Sequence, residues 1–237
     1  MKYLTLIIAL IFLSGCGGSK ANRYLKQGNT LQKSYKTKIP FEIRKGFIIV
    51  KVEIGEESYD FLLDTGSSNI LSQELADKIG MAPLGSENVG DIFDENKRLQ
   101  YGEIENIKIG GIDFQNTVGA VLDFKGTVFA CLDIDGILGS NLMRHAVWDF
   151  DFKGQSITFT DREKFLDIPT NYKSKKMYVG FAGIPAITIN MNNKTILNNT
   201  VDFGFTGGIT LRSKEFEKQI QSERISEYAE GYGKVLE

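Results

Sequence analysis

The stretch Phe61-Leu62-Leu63-Asp64-Thr65-Gly66-Ser67-Ser68-Asn69 decides the fold. A short apolar run carries a single carboxylate into a turn that holds one glycine and three hydroxyl side chains. Burying an aspartate at the end of such a run is costly unless hydrogen bonds or a second carboxylate share its charge. Thr65 and Ser67 supply hydroxyl donors, and Gly66 lets another backbone or side chain come close. The second informative stretch is Asp135-Gly136-Ile137-Leu138-Gly139, followed by Ser140-Asn141-Leu142-Met143 and by Val147 to Phe159. Ile137 and Leu138 are placed to wall a carboxylate off from water, and Gly139 to allow close backbone approach.

Together these segments resemble the aspartic proteases, both pepsin-like and retropepsin-like. In that family an Asp-Thr-Gly-Ser turn follows a leucine-rich strand. An apolar-apolar-Gly segment runs beside it, a short helix follows, and a β-hairpin closes the lobe. The resemblance implies a mostly β acid protease fold with Asp64 as a catalytic carboxylate. Thr65, Gly66, Ser67, Ile137, Leu138 and Gly139 would support it.

The chain then starts again. Ile187-Thr188-Ile189-Asn190-Met191 alternates like Val50-Lys51-Val52-Glu53-Ile54, and Asn198 to Val201 leads into Asp202-Phe203-Gly204. Asp202 lies 138 residues after Asp64, and the two stretches match with one residue of slip, which marks an internal repeat. By the same resemblance Asp202 is the partner carboxylate and Gly204 the counterpart of Gly66. Phe203 departs from the family, which has Thr or Ser there to lock the two turns together, so the support of the second aspartate is expected to be lost. A second Ile-Leu-Gly segment would fall near position 277, beyond Glu237, so the expected architecture is one complete lobe plus an incomplete second one.

Between the two motifs, Gln73 to Ile79 reads as a short helix with Ser72 as N-cap and Gly80 at its end. Asn88 to Ile109 reads as a hairpin with its tip at Asp94-Glu95-Asn96-Lys97. In the family such a hairpin closes over substrate as a flap, and Tyr101 is the residue that could serve as its tyrosine; a packing role is the competing reading. The helical pattern Ser213 to Ile220 echoes the helix after Asp64.

The N-terminus has a short positive region, an apolar run Leu4 to Leu13, and Ser14-Gly15-Cys16. This fits a secretory signal, and Leu13 to Cys16 resembles a bacterial lipobox. That resemblance implies lipidation of Cys16, anchoring through its buried methylenes, and a place in the bacterial cell envelope facing the periplasm or exterior. Expected boundaries are a signal at 1–15, a lipidated cysteine and polar tether at 16–37, an N-terminal lobe at 38–165 and a partial second lobe at 176–237. The tether is rich in lysine and without acidic residues from 17 to 38, a charge suited to anionic lipid. If flexible it reaches about 25 Å.

With Cys16 set aside, Cys131 is the one remaining thiol, so no internal disulfide is expected. At 237 residues and 42% apolar, the chain can build a sizeable core. A net charge of −2 without basic clustering in the folded part argues against nucleic acid. One histidine, His145, and no paired thiols argue against a zinc site, and His145 has no nucleophile elbow beside it. Asp202-Phe203-Gly204 also matches a kinase tripeptide, but no Gly-rich loop or His-Arg-Asp loop precedes it. Peptide-bond hydrolysis by an aspartate pair needs no cofactor and no metal. The expected partners are a peptide or protein substrate and a lipid membrane. The competing reading is an inactive, peptide-binding lipoprotein on the protease fold. A homodimer pairing two copies of Asp64 ranks last, because a fused half-lobe stands in its way.

Overall fold

The computed structural model describes residues 23–90, 96–191 and 194–207. It is mostly β, as expected. Among the described residues fifteen strands run in order: β1 (Asn29–Thr30), β2 (Lys36–Pro40), β3 (Glu42–Arg44), β4 (Phe47–Ile54), β5 (Glu57–Asp64), β6 (Ile70–Ser72), β7 (Pro83–Gly90), β8 (Asn96–Ile109), β9 (Ile112–Leu122), β10 (Gly136–Gly139), β11 (Val147–Asp151), β12 (Ser156–Thr160), β13 (Met177–Val179), β14 (Pro185–Met191) and β15 (Lys194–Thr200). The short α-helices α1 (Gln73–Lys78) and α2 (Ser140–Met143) lie among them.

The large sheet runs β1-β9-β6-β10-β5-β4-β8-β7, with β8 also paired to β9, so that six of its strands close on themselves. At its centre β10 inserts between β5, to which it is parallel, and β6, to which it is antiparallel. Because successive strand residues face opposite ways, β5 feeds two cores. Phe61 and Leu63 join one cluster with Val50, Ile104, Phe114, Leu138 and Phe159. Leu62 joins another with Ile49, Tyr101, Ala120 and Ile137. The predicted helix is α1; the Ser72 hydroxyl accepts from the Leu75 amide at 3.1 Å, and Gly80 follows its end at φ +64°.

The predicted flap hairpin is β7–β8, paired out to Gly90 opposite Asn96. Asn96 and Lys97, expected at its tip, already belong to β8, while Asp94 and Glu95 lie outside the described residues. Cys16 and the signal segment also lie outside them, as does the helical pattern at 213–220. Among the described residues no helix is long and apolar enough to cross a membrane.

The expected tether needs correction from Arg23 onward. Leu25 is completely buried in the cluster of Leu62 and Tyr101, with Tyr24 packed against it. β1 then pairs with β9, and β2 pairs with β12 in a second sheet, β11-β12-β2. The lysines of this segment concealed apolar anchors at Leu25 and Tyr35, each buried, which hold the backbone against the lobe.

The internal repeat is visible as structure. β13-β14-β15 forms a third antiparallel sheet, in the connectivity of β3-β4-β5. The closing pairs of the two hairpins correspond, Ile54 with Glu57 and Met191 with Lys194. The one-residue slip is a bulge: Ile187 pairs Asn199 but Ile189 pairs Ile196, so β15 carries one extra residue before its aspartate.

Candidate active site

Asp64 ends β5 opposite Gly139 of β10. The turn beyond it is stapled from below by polar groups that the sequence reading passed over. Asn69 Oδ1 accepts from the Gly139 amide at 2.8 Å, and the Asn69 amide donates to Asn141 Oδ1 at 2.6 Å. Asn141 Nδ2 reaches the Val118 carbonyl at 2.7 Å, and the Ser140 amide donates to the Ser67 carbonyl at 2.8 Å. The Ser140 hydroxyl donates to the Thr65 carbonyl. Asn69 and Asn141 are fully buried and Ser140 nearly so, where hydrogen bonds of this kind are needed to offset desolvation. Two polar side chains directly after an apolar strand, facing an Asn in the aspartate turn, were the signal for them.

Gly139 lets two backbone segments come close. A Cβ there would collide with the backbone of Ser68 and Asn69. Ile137 and Leu138 are both buried but on opposite faces, Ile137 beside Leu62 and Leu138 beside Leu63. Together they close both sides of the strand that carries Asp64.

Asp202 arrives from the third sheet, just beyond β15, and meets Asp64 in a near two-fold arrangement. The Gly66 amide donates to Asp64 Oδ1 at 2.7 Å, and the Gly204 amide donates to Asp202 Oδ1 at 2.8 Å. Each glycine also makes room for the opposite carboxylate. A Cβ on Gly66 would lie 2.5 and 2.8 Å from the two oxygens of Asp202, and one on Gly204 would strike the Asp64 carboxyl. The two sides differ in depth, with Asp64 half-buried and Asp202 exposed. Burial, then the charge of Asp202, push Asp64 up to about 6; hydrogen bonds from the Ser67 hydroxyl and Gly66 amide oppose this.

The support of Asp202 is not lost as expected. The Thr65 hydroxyl donates to the Val201 carbonyl at 2.6 Å and accepts from the Phe203 amide at 3.0 Å. One hydroxyl therefore bridges both turns from the first side. On the second side the Phe203 ring lies edge-on to Phe150 at 4.5 Å and to Phe152 at 6.0 Å. These aromatics were also missed, although their spacing puts them on one face of β11 and its turn.

Tyr101, the flap candidate, is instead a core residue. It is 3% exposed, sits on β8 opposite Gly85 and Ala120, and packs with Leu25, Leu62 and Leu99. Burial raises its hydroxyl above the ordinary tyrosine range. Its aromatic body serves packing, the reading an aromatic on a strand most readily supports.

His145 follows α2, with Nε2 at 3.3 Å from the Gln27 carbonyl, and takes no part in the carboxylate pair. Cys131 is a free, exposed thiol. Among the described residues no group of three or more His, Cys, Asp or Glu is placed to hold a metal ion.

Residues 50–142 match the family model described as aspartyl protease. A retropepsin-like aspartic protease from Rickettsia conorii is similar in structure at 19% identity and a TM-score of 0.39, over 56% of this chain and 93% of that one. No curated protein matches. The matched residues contain Asp64, its turn and the supporting strand β10, and over that segment the chain is similar to the aspartyl proteases.

Proposed function

We propose that this protein is an aspartic-type endopeptidase in which Asp64 and Asp202 work as one pair on a peptide bond. The observation that carries this reading is the reciprocal fit of the two turns. Each glycine amide holds its own aspartate while its missing side chain admits the other. Two carboxylates so close cannot both ionise cheaply, so they share a proton.

The chemistry follows from that shared proton. The ionised member takes a proton from water, and the resulting hydroxyl oxygen bonds to the peptide carbonyl carbon. The protonated member gives its proton to the carbonyl oxygen, leaving a neutral tetrahedral adduct. The member that took the proton from water passes it to the amide nitrogen, the C–N bond breaks to release the amine, and a hydroxyl proton of the adduct returns to the pair, which regains its one shared proton. These roles belong to the pair and not to either residue. Gly66 and Gly204 hold the carboxylates, and Thr65 joins the backbones that carry them.

The test is cleavage of an unfolded protein by the purified chain from about pH 3 to 7, with and without a statine-type inhibitor, beside Asp64→Asn. Inhibitor-sensitive cleavage that is lost in the variant supports the reading. A folded protein that cuts nothing at any of these pH values refutes it in favour of a binding role.

We further propose that Cys16 anchors the chain to the outer side of a cell membrane, a reading supported by Leu13-Ser14-Gly15-Cys16 after the apolar run. Metabolic labelling with a fatty acid, abolished by Cys16→Ser, tests it.

A further inference from the structure

Asp64 is held by a dense set of polar staples, whereas Asp202 has the Gly204 amide and the turn on which it sits. What fixes that turn comes from the first lobe. Trp148, Phe150 and Phe152 alternate along β11 and into its turn, so their rings share one face, with Asp149 and Asp151 facing the other way. Trp148 stacks on Phe159 at 4.5 Å in the core. Further along, Phe150 meets Phe203 edge-on at 4.5 Å and 67°, and Phe152 meets it at 6.0 Å and 78°. Phe152 also lies edge-on to the buried Phe41 at 6.0 Å, which ties the group to the lobe.

Phe203 is thus gripped at two points, its amide by the Thr65 hydroxyl and its ring by Phe150 and Phe152. The preceding residue is Asp202, so fixing both ends of Phe203 fixes the direction from which the second carboxylate approaches. We propose that Phe150 and Phe152 are positioning residues for Asp202, acting through the Phe203 ring in place of a cross-turn hydroxyl. This rests on the paired-carboxylate reading of the site.

The consequence is measurable without turnover. Asp64 is raised by burial and then by the charge of Asp202. Loosening Phe203 moves that charge away and leaves the Asp64 strand untouched. The experiment is a carboxyl-carbon NMR titration of the full chain with the wild-type residues and with Phe150→Ala, Phe150→Leu and Phe152→Ala. The expected result is a fall in the Asp64 midpoint by about one pH unit in Phe150→Ala, with partial recovery in Phe150→Leu. Phe152 is 55% exposed, so its alanine variant keeps the test open if Phe150→Ala does not fold, and a smaller fall in the same direction is expected. An unchanged Asp64 midpoint in folded variants overturns the proposal. The titration reads the pair whether or not the protein cleaves peptides; if it does, kcat should fall about tenfold with KM unaltered.

Discussion

The Thr65 hydroxyl accepts the Phe203 amide hydrogen at 3.0 Å while donating its own to Val201. A single side chain thereby joins two turns 138 residues apart in sequence. Thr65→Val keeps the shape and removes both bonds. It should destabilise the protein by about 1 to 3 kcal/mol, because the Phe203 amide loses its partner. Thr65→Ser should restore most of this. Urea unfolding of the three proteins measures it, and equal midpoints for Val and Thr would refute the bridge.

Gly66 and Gly204 make a sharper test, because neither has a positive φ and alanine strains no backbone there. Any effect is steric. At Gly66 the new Cβ falls on Asp202, and at Gly204 on Asp64. A displacement of about 1 Å between reacting groups costs on the order of a hundredfold in rate. Both alanine variants should keep wild-type circular dichroism and lose peptide cleavage by at least that factor. Retained cleavage would mean that the carboxylates do not face one another across these glycines.

How far the sequence was legible differs between the two halves of the site. Asp64, Gly66, Ile137, Leu138 and Gly139 could be read locally, since strand, turn and close approach each leave a residue-level mark. Asp202 was legible only through repetition. Its one-residue slip resolves into the β15 bulge, which alternation alone cannot locate. Phe203 was misjudged because a hydroxyl was expected at that position, whereas Thr65 and two remote phenylalanines share the task. Leu25 was hidden for the opposite reason. One apolar side chain among lysines gives no periodicity, so its burial is decided entirely by the tertiary surface it meets.

That surface yields the third prediction. Leu25 is fully buried among side chains of β4, β5, β8 and β9. Leu25→Ala should cost about 2 to 4 kcal/mol, the range for removing a buried leucine side chain. The neighbouring Lys26, which is exposed, should tolerate alanine within about 0.5 kcal/mol. Thermal melts of the two variants decide between an anchored segment and a tether. A loss below about 0.5 kcal/mol for Leu25→Ala would restore the tether.

The pH dependence of stability follows from Asp64. Its pKa in the folded chain, about 6, lies above the ordinary 3.8, so folding favours the protonated carboxyl. The corresponding stabilisation is complete below about pH 4 and disappears as pH rises through about 6. Its size is about 2 kcal/mol once the partial exposure of the carboxyl is allowed for. Asp60 and Asp113 are shifted the other way by their cationic and amide partners, so the raw stability curve mixes opposing trends. The difference between wild type and Asp64→Asn isolates the one of interest, because asparagine cannot titrate. Relative to the variant, the wild type should lose stability steadily from pH 4 to pH 7. Peptide cleavage that needs the shared proton should decline over the upper part of that range, above about pH 6. A difference curve that is flat from pH 4 to 7 would show that Asp202 and burial do not raise Asp64, and the paired reading of the two carboxylates would fall with it.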